Sequence, residues 1–574
     1  MPFKDDVASC FPVAAPARAV SLRRAGLLAA FCLLAPGAAF AALPSVTEPG
    51  REAPQPVLPQ PTPPGQPITV PKASAAQAPA GAEQLTFTLN EMAIEGATAY
   101  GPELLRPLYA DLIGKRITVA DAFKVAGEIE LRYRSAGYVT SRVIVPEQTI
   151  DQGRFRIVVV EGYVSDIAYD ADIGPAKAAL AKLLEPLRGV KPINVAEIER
   201  RLLLANDLGG LAVRASLEPS PDQVGGSRVV VRAERDAIDG SVSIDNRNTR
   251  YLGSHQLSGS LVFNSFGERA DRVSLTAKAS TPAYRSSAVS AAYDALLSSD
   301  GMTGGISATR ARSRPGRELA ALDVRSKVRN QTATLTYPLI RSRLQNLRLV
   351  GEFEHRDVDT DIGGDPFTRD KLRILRVGLS YDRSDDWNGI TALRATLHKG
   401  LDVMGATDRG ADLASRENGR SDFAKLTLDL TRVQQLGERT SLLATFTSQF
   451  SADSLLASEE ISLGGPTYGR GYDDGEIASD NGIAGSLELR YSPEASFLPG
   501  GLQLYTFVDG GRIRAHSGSA PVVRRSISSY GGGLRANLSS VVFATLDLAK
   551  PISSPVQSSG DKKARLFFKL TAQY

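Results

Sequence analysis

The chain has 574 residues, 23% of them charged, and its formal net charge of +4 comes from 67 Lys and Arg set against 63 Asp and Glu. Past the N-terminus no apolar run approaches the roughly 18–20 residues of a spanning helix, which excludes a bundle of membrane helices. A transmembrane β-barrel stays open, because its strands need an apolar residue only at every second position. So small and mixed a charge does not point to nucleic acid.

In chain order, Arg18, Arg23 and Arg24 precede an apolar stretch from Ala25 to Ala39 that ends Ala39-Phe40-Ala41. Basic region, short apolar region and small-residue cleavage site predict a secretory signal peptide over 1–41. Both cysteines, Cys10 and Cys32, lie inside it. Cleavage near Ala41 would leave an exported chain without thiols. Residues 42–83 carry eleven prolines among Gln, Thr, Ala and Gly. Such a composition favours extended, solvated chain and cannot build a core, so it predicts a tether.

Residues 84–163 predict a small α/β unit. Leu85, Phe87 and Leu89 alternate as a strand leading towards Ile94. Helical segments follow at about Gly101–Ile113 and Val119–Ser135, the second opening at a Thr118/Asp121 capping region. Val143-Ile144-Val145-Pro146 and the β-branched run Phe155–Glu161 complete a β-α-α-β-β order. Residues 164–236 repeat it: strand Tyr163–Tyr169, helices Ala176–Leu187 and Val195–Leu208, strands Leu211–Glu218 and Arg228–Ala233. A repeated topology at a spacing of roughly 70–80 residues means tandem modules. Their sheets have exposed edges of the kind that accept an extended peptide.

From 237 to 574 helical periodicity gives way to alternation. Leu347, Leu349, Gly351 and Phe353 alternate with Arg348, Val350, Glu352 and Glu354. In the last run Ala564, Leu566, Phe568, Leu570, Ala572 and Tyr574 share one face. About sixteen strands fit, starting near 237, 255, 272, 286, 302, 328, 344, 370, 389, 420, 438, 481, 501, 525, 540 and 563. That leaves about 21 residues per strand with its connection, suited to membrane-crossing strands of ~9–11 residues. Short links such as Asn537–Ser540 alternate with long polar ones such as Ser313–Lys327 and Met404–Arg420, as periplasmic turns and surface loops do. The fold class expected is a transmembrane antiparallel β-barrel preceded by two small α/β modules.

Between the eleventh and twelfth predicted strands lies Ile461–Glu476, ISLGGPTYGRGYDDGE. Arg470 sits among Gly469, Gly471 and Tyr472. Some forty residues later Phe507-Val508-Asp509-Gly510-Gly511 falls on a strand. A buried arginine needs a counter-charge, so Arg470 and Asp509 could form a clasp; equally, the loop could be a surface hairpin with its arginine in water. Asp473, Asp474 and Glu476 read as solvated loop carboxylates, with a cation site as the alternative. His255, His355, His398 and His516 are scattered without metal-ligand spacing, the glycine-rich loop lacks the Gly-Lys-Ser/Thr of a phosphate loop, and there is no G-x-S-x-G elbow. Neither enzyme chemistry nor a cofactor or metal is expected.

These motifs resemble those of the two-partner secretion transporters, the hemolysin secretion/activation family of outer-membrane proteins. Gly137-Tyr138-Val139-Thr140-Ser141-Arg142-Val143, Pro146-Glu147-Gln148, Gly153 and Val160-Glu161-Gly162 resemble that family's first polypeptide-transport-associated (POTRA) domain. Gly469-Arg470-Gly471-Tyr472 resembles its sixth surface loop, and Phe507-x-Asp509-x-Gly511 its strand motif. The resemblance implies two periplasmic POTRA domains, a sixteen-stranded pore and a loop of about 451–480 folded inward, with Arg470 paired to Asp509. It implies a secreted hemolysin- or adhesin-like partner, an outer-membrane location in a Gram-negative cell and action as a monomer. The edge strand at Val143, Ile144 and Val145 would contact that partner. An assembly factor for other barrels shares the two barrel motifs and is the alternative reading. Gly469 stands where the family usually has an apolar residue such as valine, a departure expected to loosen the loop tip.

Overall fold

The computed structural model describes residues 54–56, 59, 68–69, 78–170, 172–281, 285–495, 498, 500–516 and 524–574. The expected signal peptide lies outside the described residues, as does most of the expected tether. Within the tether, Ile68–Thr69 forms a short strand, β1.

The first module is built from β2 (Thr86–Thr88), β3 (Glu91–Glu95), α1 (Pro102–Leu105), β4 (Arg116–Thr118), α2 (Val119–Ser135), β5 (Arg142–Ile144) and β6 (Arg154–Val160). Its main sheet has the order β3-β6-β5. Alpha-helical structure in α1 stops at Leu105 because Pro107 follows, and a proline lacks an N–H to continue the ladder; 3₁₀ turns at Arg106–Leu108 and Ala110–Leu112 take over. The α2 helix starts at a full capping box, in which Thr118 Oγ1 accepts from the Asp121 N–H and Asp121 accepts in return. Leu89, Ile129, Tyr133, Phe155 and Ile157 fill the core.

The second module contains β7 (Tyr163–Asp170), α3 (Ala176–Leu184), α4 (Val195–Asn206), β8 (Leu211–Pro219) and β9 (Gly226–Arg235), with the sheet order β1-β8-β9-β7. Leu180, Leu183, Leu202, Val229 and Val231 pack between helices and sheet. Asn194 locks the two modules together. Its Oδ1 caps α4 by accepting from the Ala196 N–H, 2.9 Å, while its Nδ2 donates to Ala136 O at the end of α2, 2.8 Å. Backbone bonds from Val195 N to Gly137 O and from Ile193 N to Gly162 O run beside it.

Sixteen antiparallel strands from Ile238–Asp245 to Arg565–Gln573 then close into a barrel. The first and last strands pair through Ser241↔Gln573 to Asp245↔Lys569. Every observed start lies within five residues of its predicted one. The largest gap is at Asp365–Asp385, expected from 370. The barrel is apolar outside: Val289, Ile306, Leu335, Leu487, Val508 and Leu566 are all exposed. Glu354, Arg356, Arg373, Glu488 and Arg490 are buried inside. An outward apolar belt around a polar interior is the pattern of a barrel in lipid. The second module docks against the barrel's short turns. Arg341 pairs with Asp207 at 2.7 Å, Arg343 with Glu199 at 2.5 Å, and Arg201 donates to Ser299 O at 2.5 Å.

Candidate functional site

Between the strands Thr440–Ser451 and Asn481–Tyr491 the chain does not stay outside. It forms a 3₁₀ turn at Ala457–Glu459 and a hairpin in which Ile461–Leu463 pairs with Ile477–Ser479. Ile461, Leu463, Tyr468, Tyr472 and Ile477 pack on the wall residues Ala484, Ile513 and Ile527. The hairpin therefore lies in the lumen, not on the surface.

Its tip meets two carboxylates. Asp509 Oδ1 accepts from the backbone N–H groups of Gly469, 2.8 Å, and Arg470, 3.2 Å, and from Ser529 Oγ, 2.5 Å. The Arg470 Nε stands 3.3 Å from Asp509 Oδ2, an ion-pair distance without hydrogen-bond alignment. The head of the guanidinium goes elsewhere. Its Nη1 donates to Glu488 Oε2 at 2.5 Å and its Nη2 to Ser486 Oγ at 3.1 Å. The plane of the Phe507 ring lies beneath it, 4.1 Å from the guanidinium carbon, a cation–π placement that strengthens when water is excluded. Asp509 thus holds the tip mainly by its backbone, and Glu488 takes most of the arginine's charge.

Glu488 is shared. It also accepts from Arg490 Nε at 2.7 Å and from Arg535 Nη1 at 2.8 Å. Removing Arg470 would leave this acid two cationic partners, so the wall keeps its own pairing. Two further arginines grip the tip's carbonyls: Arg247 Nη1 donates to Arg470 O at 3.1 Å and Arg565 Nη1 to Gly471 O at 3.3 Å. Gly471 N donates to Ser529 Oγ at 3.1 Å, and the Tyr472 hydroxyl reaches Ser553 Oγ and Ser554 O, both at 3.1 Å.

Gly469 sits where the backbone itself favours glycine. It adopts φ +85°, a region L side chains rarely enter, and a Cβ there would lie 2.5 Å from Ile527 Cδ1. A side chain here would be strained by the backbone conformation and would require Ile527 to shift. Gly511 leaves room for the hairpin, since a Cβ on it would meet Leu463 Cδ1 at 2.5 Å. Two of the tip's acids are buried, not solvated: Asp473, 1% exposed, pairs with Arg565 at 2.6 Å, and Glu476 accepts from Gln557 N at 2.6 Å, while Asp474 is half-buried. Among the described residues no group of three or more His, Cys, Asp or Glu side chains is arranged to hold a metal ion.

The stem of the hairpin is pinned by a second cluster that the sequence did not single out. Glu459, buried, meets Arg356 at 3.1 Å, Lys425 at 2.8 Å and Arg376 at 3.5 Å, and both arginines also pair with Glu354. Beside it Arg416 pairs with Asp480 and with Glu460. Alternation does place Glu354, Arg356, Arg376 and Glu488 on inward faces; that was the available signal. It does not say which of them meet.

In the first module, Val143 is buried, Ile144 exposed and Val145 packed at the edge of the core. The Val143 N–H donates to Glu130 Oε2 of α2 at 3.2 Å. Glu161, from the Val-Glu-Gly stretch, accepts from Thr98 N, Ala99 N and the Tyr133 hydroxyl at 2.7–2.8 Å. Burial opposes its ionisation. Those hydrogen bonds, with one from the Thr98 hydroxyl, outweigh that effect and hold its carboxyl below the usual carboxylate range.

A closed antiparallel barrel with an outward apolar belt, a lumenal hairpin and α/β modules on its turn side defines an outer-membrane transport barrel. Residues 225–536 match the model of the haemolysin secretion/activation protein family ShlB/FhaC/HecB, and residues 87–162 match the ShlB-type POTRA domain; the chain belongs to this family. It is 23% identical over 454 residues to the outer membrane transporter CdiB of Dickeya dadantii, covering 75% of this chain and 77% of that one. Identity to the heme/hemopexin transporter protein HuxB of Haemophilus influenzae is also 23%, over 79% and 81% of the two chains. The solved structure of CdiB from Escherichia coli superposes with a TM-score of 0.72 at 23% identity, covering 87% of this chain and 92% of that one.

Proposed function

We propose that this protein is the outer-membrane pore of a two-partner secretion system, taking an unfolded exoprotein from the periplasm and passing it to the cell surface. In this reading 84–163 and 164–236 are capture modules and 237–574 is the pore. The partner is a large exoprotein of the hemolysin or adhesin kind, and a single copy suffices because one chain encloses the lumen. The observation that carries the reading is the hairpin inside the barrel, held by Arg470 between Glu488 and Asp509. Packed there, it obstructs the path; a polypeptide can pass only if it shifts. A buried ionic network of this kind is better suited to fixing one of two arrangements than to adding stability. Folding of the exoprotein outside the cell would prevent its return and so give direction without ATP.

The test is Arg470→Ala. Surface delivery of the exoprotein should fall well below wild type while the barrel still runs as a folded, heat-modifiable species. Wild-type delivery would refute the assigned role. General loss of other outer-membrane barrels on depletion would instead favour an assembly factor. Cross-linkers at Val143–Val145 that join only the transporter to itself would remove that edge from the capture surface.

A further inference from the structure

We propose that the barrel's external face, at the outer end of the strands Thr303–Ser313 and Arg325–Arg341, binds the phosphate groups of the outer-leaflet glycolipid, lipopolysaccharide, through Arg310, Arg312 and Lys327. The site needs only the barrel's place in the outer membrane and is independent of what passes through the lumen.

Along Thr303–Ser313 the exposed series is Ile306, Ala308, Arg310 and Arg312, with Ala311 and Ser313 buried. Along Arg325–Arg341 it is Leu335, Ala333, Gln331, Arg329 and Lys327, with Val328 and Ser326 buried. Both series run up the lipid side of the wall and change from apolar to basic at the same height. The turn at the other end of the first strand presents Leu297 O and Ser299 O, which accept from Lys182 and Arg201 of the second module. The basic end therefore faces the cell exterior. Arg325–Arg341 has 17 residues, more than the ~9–11 of a crossing. The stretch from Leu339 up to Gln331 is about one crossing long, which sets Arg329 and Lys327 at the headgroup level of the outer leaflet.

Pairing across the two strands sets like charges face to face. Arg310 stands opposite Arg329, and Arg312 opposite Lys327, at Cα separations of about 4.5–5.5 Å. Like charges directly opposite one another destabilise a strand pair, so the arrangement gains from an anion laid over it. The acids on the next strand, Gln345–Ile362, are already used. Asp359 pairs with Arg329 at 2.8 Å, Asp357 with Arg373 at 3.0 Å, and Asp361 with Arg369. Arg325 and Arg314 share Asp323, at 2.7 and 2.8 Å. Arg310, Arg312 and Lys327 make no ion pair or side-chain hydrogen bond among the described residues. Three exposed cations without a counter-charge, directly above a surface that lipid covers, match a ligand carrying phosphates on an acylated body. Guanidinium groups hold phosphate through paired N–H donors, and a basic cluster at a membrane surface attracts anionic headgroups. Val289, exposed and opposite Arg310 on the other neighbouring strand, extends the apolar floor on which acyl chains would lie.

The test titrates the full transporter, purified in mild detergent with a chelator present, against four probes: lipopolysaccharide, lipopolysaccharide stripped of its phosphates, phosphatidylglycerol and inorganic phosphate. Intact lipopolysaccharide should bind tightest, and less tightly as salt is raised; each of the others should be several-fold weaker. Arg310→Gln/Arg312→Gln/Lys327→Gln transporter should keep its heat-modifiable fold and lose most of this binding. Arg383→Gln, which removes an exposed cation near the periplasmic end of the Asp365–Asp385 strand, should leave it unchanged. Equal affinity for intact and dephosphorylated lipopolysaccharide, equally tight binding of phosphatidylglycerol, wild-type binding by the triple variant, or an equal loss in Arg383→Gln would each overturn the proposal. Wild-type lipid binding by the triple variant together with impaired exoprotein delivery would assign the patch to the exported chain instead.

Discussion

The modules and the barrel bury opposite kinds of residue. Leu180, Leu183, Leu202 and Val229 fill the second module, whereas the barrel hides Glu354, Arg356, Arg376, Glu459 and Glu488 and turns its leucines outward. The difference follows from where each finds its stability. A module must bury apolar area against itself. A barrel closes its backbone ladder strand to strand and leaves its apolar side to lipid. Its interior is then free to hold charges whose pairing positions a loop instead of sustaining the fold.

That contrast can be broken from either side. The largest effect is expected for Glu459→Gln, which leaves Arg356, Arg376 and Lys425 short of one buried counter-charge; breaking such a cluster costs about 3–5 kcal/mol. Limited proteolysis should then cut within 451–480, and an intact hairpin would show that the stem does not depend on this acid. Next comes a matched pair of truncations. Leu183→Ala, in the module core, should destabilise by about 2–5 kcal/mol, seen as a lower unfolding midpoint of the periplasmic modules. Leu487→Ala on the outer belt leaves a gap that lipid fills and should change little in the barrel's heat-modifiability. Equal losses would erase the distinction.

Smaller still is Arg470→Lys. The charge is kept, but a single ammonium cannot hold Glu488 and Ser486 in a fork while stacking on Phe507. Delivery should stay below wild type with the barrel folded; full activity would mean that charge alone suffices. Smallest is a pH effect in the first module. The Glu161 carboxyl is held below its usual range, so its contribution is present above the unfolded value and is lost as pH falls through the lower, folded one. Thermal unfolding of the modules should show this acid-side loss in the wild type and less of it in Glu161→Gln. Parallel pH profiles would count against the assignment.

Barrel architecture was legible because lipid enforces a period of two along each strand. Alternation fails where lipid ends. Over Asp365–Asp370 the run Asp-Pro-Phe-Thr-Arg-Asp shows no apolar alternation, and there the predicted start lies five residues late. In the first module the strand expected through Leu89 breaks into β2 and β3, and the helix expected to Ile113 stops at Leu105. Arg470, Asp509 and Phe507 stood out by their motifs. Glu488 and Glu459 did not, since an inward acid on a strand looks the same whether it meets a loop or a neighbouring arginine. The linker strand at Ile68–Thr69 was hidden for a similar reason: two residues between prolines carry no periodicity.

The central claim is that the Ile461–Ser479 hairpin rests inside the barrel against the wall strands. Leu463 and Ala484 belong to one buried cluster, both beside Gly511. A short thiol cross-linker applied to Leu463→Cys/Ala484→Cys transporter in outer membranes should join the two cysteines in the resting state. A folded, heat-modifiable barrel in which they never join would place the hairpin elsewhere and contradict the account.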